Sequence, residues 1–270
     1  VSAAPQPRHA SEGEIALDIR RLTKRFLGVE AVAGVDLRVR AGELVGLIGP
    51  NGSGKTTLMN CVNGILRPDG GEVLIKGRRT SGWPPYRIAR LRVGRIFQVV
   101  RVIPTLTVEE NLLFAVQELQ GDPLWARVLH LPASRRLDDD ALGRAEECLA
   151  LVGLQDRRRQ PAWSLSYGQR KLLAFASALM ADPDLLLLDE PMAAVNPTVI
   201  QQLAGLIRTL HAAGRTVVII EHNMKVIFDL CPRLVVLDRG AKIADGPAAE
   251  IRQDRAVIDA YFGHERGGRS

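Results

Sequence analysis

The chain has 270 residues, which sets a range of one or two domains and is ample to bury a hydrophobic core. Its 46% hydrophobic and 24% charged content is that of a globular protein, and this excludes wholesale disorder or a collagen-like repeat. The 36 basic residues exceed the 30 acidic ones only mildly, so a net charge of +6 gives little ground for a nucleic-acid partner.

Residues 1–13 are rich in Pro, Ala and Ser and read as a disordered extension without the apolar core of a secretory signal. Short apolar runs then alternate with helical patterns. Strands are expected over 17–21, 35–39, 44–48, 73–75, 95–97, 185–189, 217–221 and 234–237. Several are continuously apolar, as strands buried on both faces should be. Helices are expected over 56–63, 108–120, 140–152, 168–181, 198–213 and 224–230. The alternation predicts an α/β fold with a mainly parallel sheet. Between 108 and 181 it lapses into helices and loops, which reads as a helical insertion whose middle, 121–139, is turn-rich. Residues 263–270 read as a flexible tail. No apolar run approaches the roughly 18 residues that would span a bilayer. Cys61, Cys148 and Cys231 are odd in number and far apart, which argues against a disulfide framework or a zinc site.

The run Leu44-Val45-Gly46-Leu47-Ile48 leads directly into Gly49-Pro50-Asn51-Gly52-Ser53-Gly54-Lys55-Thr56-Thr57. This is G-x-x-x-x-G-K-[ST] between an apolar strand and an apolar helix. Glycines let backbone N–H groups curl around phosphate oxygens, and the helix that follows points its positive end at the same anion. Lys55 is placed to reach the β- and γ-phosphates, and the Thr56 hydroxyl to ligate Mg²⁺.

Leu185-Leu186-Leu187-Leu188 ends in Asp189 and Glu190. A buried strand delivers its last side chains to the carboxyl edge of the sheet, where ligands bind in such folds. Asp189 is expected to hold Mg²⁺ and Glu190 to act as general base on the attacking water. The run Val217–Ile220 ends likewise in Glu221 and His222, whose imidazole is expected to reach the γ-phosphate.

The phosphate loop, then Gln98 after a strand, then Leu165-Ser166-Tyr167-Gly168-Gln169, then Leu185–Glu190 with Pro191, then His222, come in the order of an ABC-type ATPase, which the chain resembles over about residues 15–262. The LSYGQ segment is similar to that family's LSGGQ signature. Tyr167 within it, GRIFQ at 94–98, LTVEENLL at 106–113, the long insert before the signature and the closing VIDAYFG at 257–263 resemble the ATP-binding subunits of branched-chain (hydrophobic) amino-acid uptake transporters.

This resemblance implies one nucleotide-binding domain over 14–262, with a P-loop fold, an antiparallel β portion and the helical insertion at 108–181. It implies that Phe26 stacks on adenine, that Gln98 touches Mg²⁺ or the attacking water and senses a membrane partner, and that Ser166, Gly168 and Gln169 bind the γ-phosphate held by the opposite subunit. The implied cofactors are ATP and Mg²⁺. The implied partners are a second ATP-binding subunit, identical or not, set head-to-tail, then transmembrane permease subunits, and indirectly a solute-binding protein. No nucleic acid is expected, and the implied location is peripheral, on the cytoplasmic face of the cell membrane. The pattern departs at Ala194, where the family commonly has Gly, at Val195, and at Asn196, often Asp, which is retained as an interface residue.

Two other functions stay open at this stage. One is a soluble ABC ATPase acting on nucleic acid or the ribosome, although such chains usually carry two nucleotide-binding units or a long coiled coil. The other is a P-loop kinase, which the signature and His222 disfavour. Leu124, Trp125, Val128, Leu129 and Leu131 fall at near-helical spacing beside the Gln98 segment. They suit either packing against neighbouring helices or a surface for a short helix of a membrane subunit.

Overall fold

Two twelve-residue strands, β1 (Ile15–Phe26) and β2 (Val29–Arg40), open the fold as an antiparallel hairpin. They exceed the expected 17–21 and 35–39 because the reversal needs only Leu27 and Gly28, both at positive φ, as in a two-residue turn that matches strand twist. Leu27 lacks the Asn-Gly or Asp-Gly signal that would have marked the turn in the sequence. The computed structural model describes residues 13–96, 102–120 and 132–262. The expected N-terminal extension (but for Gly13), the tail, Gln98 and the apolar set from Leu124 to Leu131 lie outside those residues.

Strand β3 (Leu44–Ile48) leads through the phosphate loop to helix α1 (Lys55–Val62). Strands β4 (Gly70–Ile75) and β5 (Arg78–Arg79), helix α2 (Pro85–Ala89) and strand β6 (Val93–Ile96) follow. The insertion contributes α3 (Val108–Gln120), α4 (Pro132–Val152) and α5 (Tyr167–Leu179). Helix α4 begins at Pro132, eight residues before the expected start at 140, so the part of the supposed turn-rich stretch from Pro132 onward is helical. Pro at a first helical position costs nothing, because the missing N–H would lack a partner there anyway. The chain continues through β7 (Leu185–Asp189), α6 (Pro197–Ala212), β8 (Thr216–Ile220), α7 (Met224–Leu230), β9 (Arg233–Asp238), β10 (Ala241–Pro247), α8 (Ala248–Ile251) and α9 (Arg255–Phe262).

The strands form two sheets, one ordered β2-β1-β4-β5 and the other β10-β9-β3-β8-β7-β6. The first is antiparallel; in the second only the edge pair β10–β9 is antiparallel. Period-2 alternation divides the six-stranded sheet between two cores. Leu186, Leu188, Val217, Ile219, Leu234 and Val236 pack against the helices, with Leu112, Leu149, Phe175 and Ile207. Leu185, Leu187, Val218, Ile220, Val235 and Leu237 pack on the other face with β1, β2, β4 and α1. Both faces being covered, these strands read as unbroken apolar runs, which is why they were visible in the sequence. The three cysteines are buried free thiols, and burial raises each above its ordinary pKa.

At the amino edge of this sheet, the turn between α5 and β7 carries Asp182, whose carboxylate takes Arg92 from before β6, Arg144 of α4 and Arg215 from before β8. Burial pushes the Asp182 carboxyl up, but the guanidiniums of Arg215, Arg144 and Arg92 outweigh it and hold it below the usual value. A depressed carboxyl stabilises the fold above its unfolded pKa, and that contribution is lost as pH falls through the folded value. Asp182→Asn is therefore expected to destabilise the protein at pH 7 by about 1–2 kcal/mol, discounted for partial exposure. Urea unfolding should show the gap from wild type shrinking as pH falls below the ordinary aspartate range and through the lowered folded value of Asp182; a gap that does not change with pH would contradict this role.

Candidate nucleotide-binding and hydrolysis site

Strands β3, β8 and β7 are adjacent and parallel, so the segments that follow them emerge on one edge. The loop after β3 is seated by Gly240 N–H donating to the Ser53 carbonyl at 3.1 Å, while Ala33 N–H donates to the Gly240 carbonyl at 2.8 Å. Gly49, Gly52 and Gly54 all take positive φ. Gly54 is the tightest constraint. It enters α1 at φ +98°, and a Cβ there would lie 2.2 Å from the Ala31 carbonyl oxygen of β2. No side chain caps α1 at this residue, so its first N–H groups face the loop as anion donors.

Lys55 is buried, and its ammonium donates to the carbonyls of Gly49 (2.8 Å) and Pro50 (2.9 Å) and to Ser53 Oγ (3.2 Å). Burial lowers its pKa, opposed by the charges of Glu190 and Asp189, which places the cation and both carboxylates in one field. Thr56 and Asn51 are exposed, while Pro50 and Thr57 are half-buried. Phe26 ends β1 with 43% of its surface exposed and the Lys24 ammonium 5.4 Å from its ring centroid. It pairs with Val29, two residues before the Ala31 carbonyl that abuts Gly54, so the hairpin tip borders the loop.

Asp189 is buried at the end of β7, with Oδ2 3.3 Å from Arg95 Nη2, and Arg95 Nη2 also donates to Asn60 Oδ1 of α1 at 2.6 Å. Its Oδ1 is buried without a hydrogen-bond partner. Burial raises the Asp189 pKa against the pull of Arg95. Glu190 follows at φ +48°, its N–H bonded to the Ile220 carbonyl and its Oε1 2.7 Å from His222 Nε2. His222 is thus engaged with the expected general base, and 41% of its side chain is still exposed.

Ser166 and Gln169 do not meet the phosphate loop among the described residues. They form a capping box at the start of α5: Gln169 N–H donates to Ser166 Oγ and Ser166 N–H to Gln169 Oε1. Gly168 lies where a Cβ would come 2.7 Å from Val199 Cγ2 of α6, so the signature turn sits directly on that helix. Asn196 caps α6 through its side-chain oxygen on Val199 N–H at 3.0 Å and is itself exposed.

A family model described as ABC transporter matches residues 32–193. The chain belongs to the ABC transporter family. A second model, described as branched-chain amino acid ATP-binding cassette transporter, matches residues 241–266. The high-affinity branched-chain amino acid transport ATP-binding protein LivG of Salmonella typhimurium is 40% identical over 92% of this chain and 97% of its own length. A nucleotide-free ATP-binding cassette from an ABC transporter superposes with a TM-score of 0.80 at 28% identity, over 92% of this chain and 99% of that one. A dimeric ATP-binding cassette in a post-hydrolysis state with ADP and Pi gives 0.71 at 27% identity, over 86% and 98%.

As a member of this family the chain binds ATP and is an ATPase. Four residues of the site escaped the sequence reading. Arg95 donates to one oxygen of Asp189 and to Asn60 Oδ1, so Asn60 helps seat the guanidinium, and Arg95 lies within GRIFQ without a role assigned from the sequence. Lys171, two residues past the signature, and Glu221, next to His222, are both buried beside the Glu190 segment. Their type and spacing resemble any helix or strand-end charge; only the tertiary fold turns them inward. Ala194 stands at φ +59°, which explains why Gly is the commoner residue there. Gly54→Ala is expected to weaken ATP affinity more than about 10-fold, since the clash with Ala31 must shift either the loop or β2. Direct titration with a fluorescent ATP analogue measures this, and wild-type affinity would show that the loop tolerates the displacement.

Proposed function

We propose that this ATPase is the energy-coupling subunit of a membrane importer, working peripherally on the cytoplasmic face, and that two such subunits, identical or homologous, share ATP head-to-tail. The cassette spans 14–262 with its helical insertion at 108–181. One observation carries the shared-site reading. The phosphate loop, Asp189, Glu190 and His222 occupy one sheet edge, while the signature forms a separate helix start closed by its own capping box. Ser166, Gly168 and Gln169 then have the γ-phosphate of the opposite subunit as their ligand. The likeness to a dimeric cassette holding ADP and Pi supports this. No described helix is long and apolar enough to cross a membrane. The proposed partners are transmembrane permease subunits, which carry the solute, and a solute-binding protein that acts through them. The LivG relative and the match at 241–266 support branched-chain amino acids, or related small polar solutes, as cargo. They give no support to a role on nucleic acid or the ribosome.

The site fits Mg²⁺. Asp189 has one buried oxygen without a partner, and the exposed Thr56 hydroxyl opens the adjoining helix, the small donor set that Mg²⁺ takes together with phosphate oxygens. Bound there, the ion would neutralise charge on the transferring phosphoryl group. Gln98 lies outside the described residues and is proposed from the resemblance alone.

Lys55 and the α1 N–H groups hold the β- and γ-phosphates, and Phe26 offers an open face to the adenine ring. Glu190 takes a proton from the attacking water as the new P–O bond forms and the bond to the ADP oxygen breaks. His222 orients that carboxylate through the 2.7 Å contact. ATP draws two subunits together because it binds both halves, and ADP with released phosphate does not, so the closed state is favoured only before hydrolysis.

Glu190→Gln keeps size and removes basicity. It should leave ATP binding intact, lower turnover about 10²–10⁴-fold, and let ATP trap a dimer visible by size exclusion. Wild-type turnover would remove Glu190 from that role. Mixing Lys55→Ala with Ser166→Ala chains places both lesions in one composite site and spares the other. ATP-dependent dimers should reappear in the mixture though neither parent forms them, whereas full activity from a strict monomer is the result that refutes head-to-tail sharing.

A further inference from the structure

The sequence motifs leave two buried charges without a task. Lys171 of α5 is 5% exposed and Glu221, after β8, is 3% exposed. Both hold the backbone of the same short segment at residues 190–192. The Lys171 ammonium donates to the Pro191 carbonyl at 3.2 Å and the Glu190 carbonyl at 3.4 Å. The Glu221 carboxylate accepts Met192 N–H at 2.8 Å and His222 N–H at 3.2 Å. Burial lowers the Lys171 pKa, with Glu221 and then Glu190 opposing, while burial raises that of Glu221. The segment so gripped holds Glu190 at φ +48° and ends at Ala194 at φ +59°. A strained backbone persists only where its surroundings over-determine it. The same ammonium lies 5.8 Å from the ring centroid of Tyr167, the exposed third residue of the signature.

These contacts join two half-sites that serve different nucleotides. The signature helix faces the partner's ATP, and Glu190 acts on the ATP of its own chain. We propose that Lys171 and Glu221, which hold the same segment, are a positioning pair that couples the two ATP sites of the dimer, by tying the helix that carries the signature to the backbone that carries Glu190. This rests on the shared-site reading above. When the signature engages a γ-phosphate, the start of α5 and the Tyr167 ring are fixed, and with them the ammonium and the two carbonyls it holds. The general base in one site is then set by occupancy of the other, which is a coupling between distinct sites through one rigid element.

Removing one of the two leaves the other buried without its counter-charge, so single variants risk misfolding. The double variant Lys171→Met with Glu221→Gln removes both charges and keeps bulk. ATP hydrolysis by the full-length chain, measured against ATP concentration, is the test, with thermal unfolding and ATP titration alongside. Wild type is expected to show a Hill coefficient near two, the number of shared sites. The double variant should unfold near the wild-type temperature, bind ATP within about twofold, and show a Hill coefficient near one. If wild type is cooperative and the double variant equally so, with or without a drop in turnover, the pair only holds the fold or the base and the coupling is refuted, while shared sites stand. If wild type shows a coefficient of one and Glu190→Gln forms no ATP-dependent dimer, the shared-site reading fails and the coupling with it. Should that double variant not fold, Lys171→Gln with Glu221→Gln, which also removes both charges but keeps a polar side chain at each position, is expected to lower the coefficient in the same direction, and a wild-type coefficient there overturns the proposal.

Discussion

The site depends on β3, β8 and β7 being neighbours, parallel, and covered on both faces. A strand buried on both faces cannot carry charge along its length, because an unpaired charge in that interior costs far more than any packing gain. Charge therefore gathers where the strands end. Asp189 is the last residue of β7, Glu190 and Glu221 follow β7 and β8, and Lys55 begins the helix after β3. Register does the rest: Asp189 pairs with Ile220, and the Glu190 N–H is still bonded to the Ile220 carbonyl, so the ladder carries Glu190 into place before the chain turns away.

That same rule governs what could be read in advance. Leu185 to Leu188 and Val217 to Ile220 announce themselves because both-face burial admits only apolar residues, and the acids that end them are conspicuous by contrast. The phosphate loop is legible because its glycines answer a local need of the backbone. Arg95, Lys171, Glu221 and Asp182 were not legible, since a charged residue in a helix or turn looks the same whether it meets water or a buried partner. Helix α4 starts earlier than the sequence suggests because its first turns carry Pro132, Ser134 and three aspartates, residues that favour turns and caps, and the rest of the helix overrides that preference. Hairpin β1–β2 was read short because Leu27 takes a conformation that favours glycine.

The signature illustrates how one set of atoms serves two ends. The side chains of Ser166 and Gln169 close a capping box, which holds the start of α5 in shape without a ligand. Gly168 lets that turn rest against Val199, and Asn196 caps the helix that bears Val199. The signature is thus a surface prepared by its own chain and presented outward.

Helix α5 is fastened at both extremities. Near its beginning, Lys171 is bonded at the carboxyl edge of the sheet; at its end, the Leu179 carbonyl takes Arg144, and Asp182 just beyond gathers three guanidiniums at the amino edge. Thirteen residues at about 1.5 Å each make it about 20 Å long, roughly the depth of the sheet it crosses. A rod pinned at two points can tilt or translate only with the body to which it is pinned. Force applied to the outer helices by a membrane subunit would accordingly reach the far edge of the sheet as torque on the whole cassette rather than as local flexing.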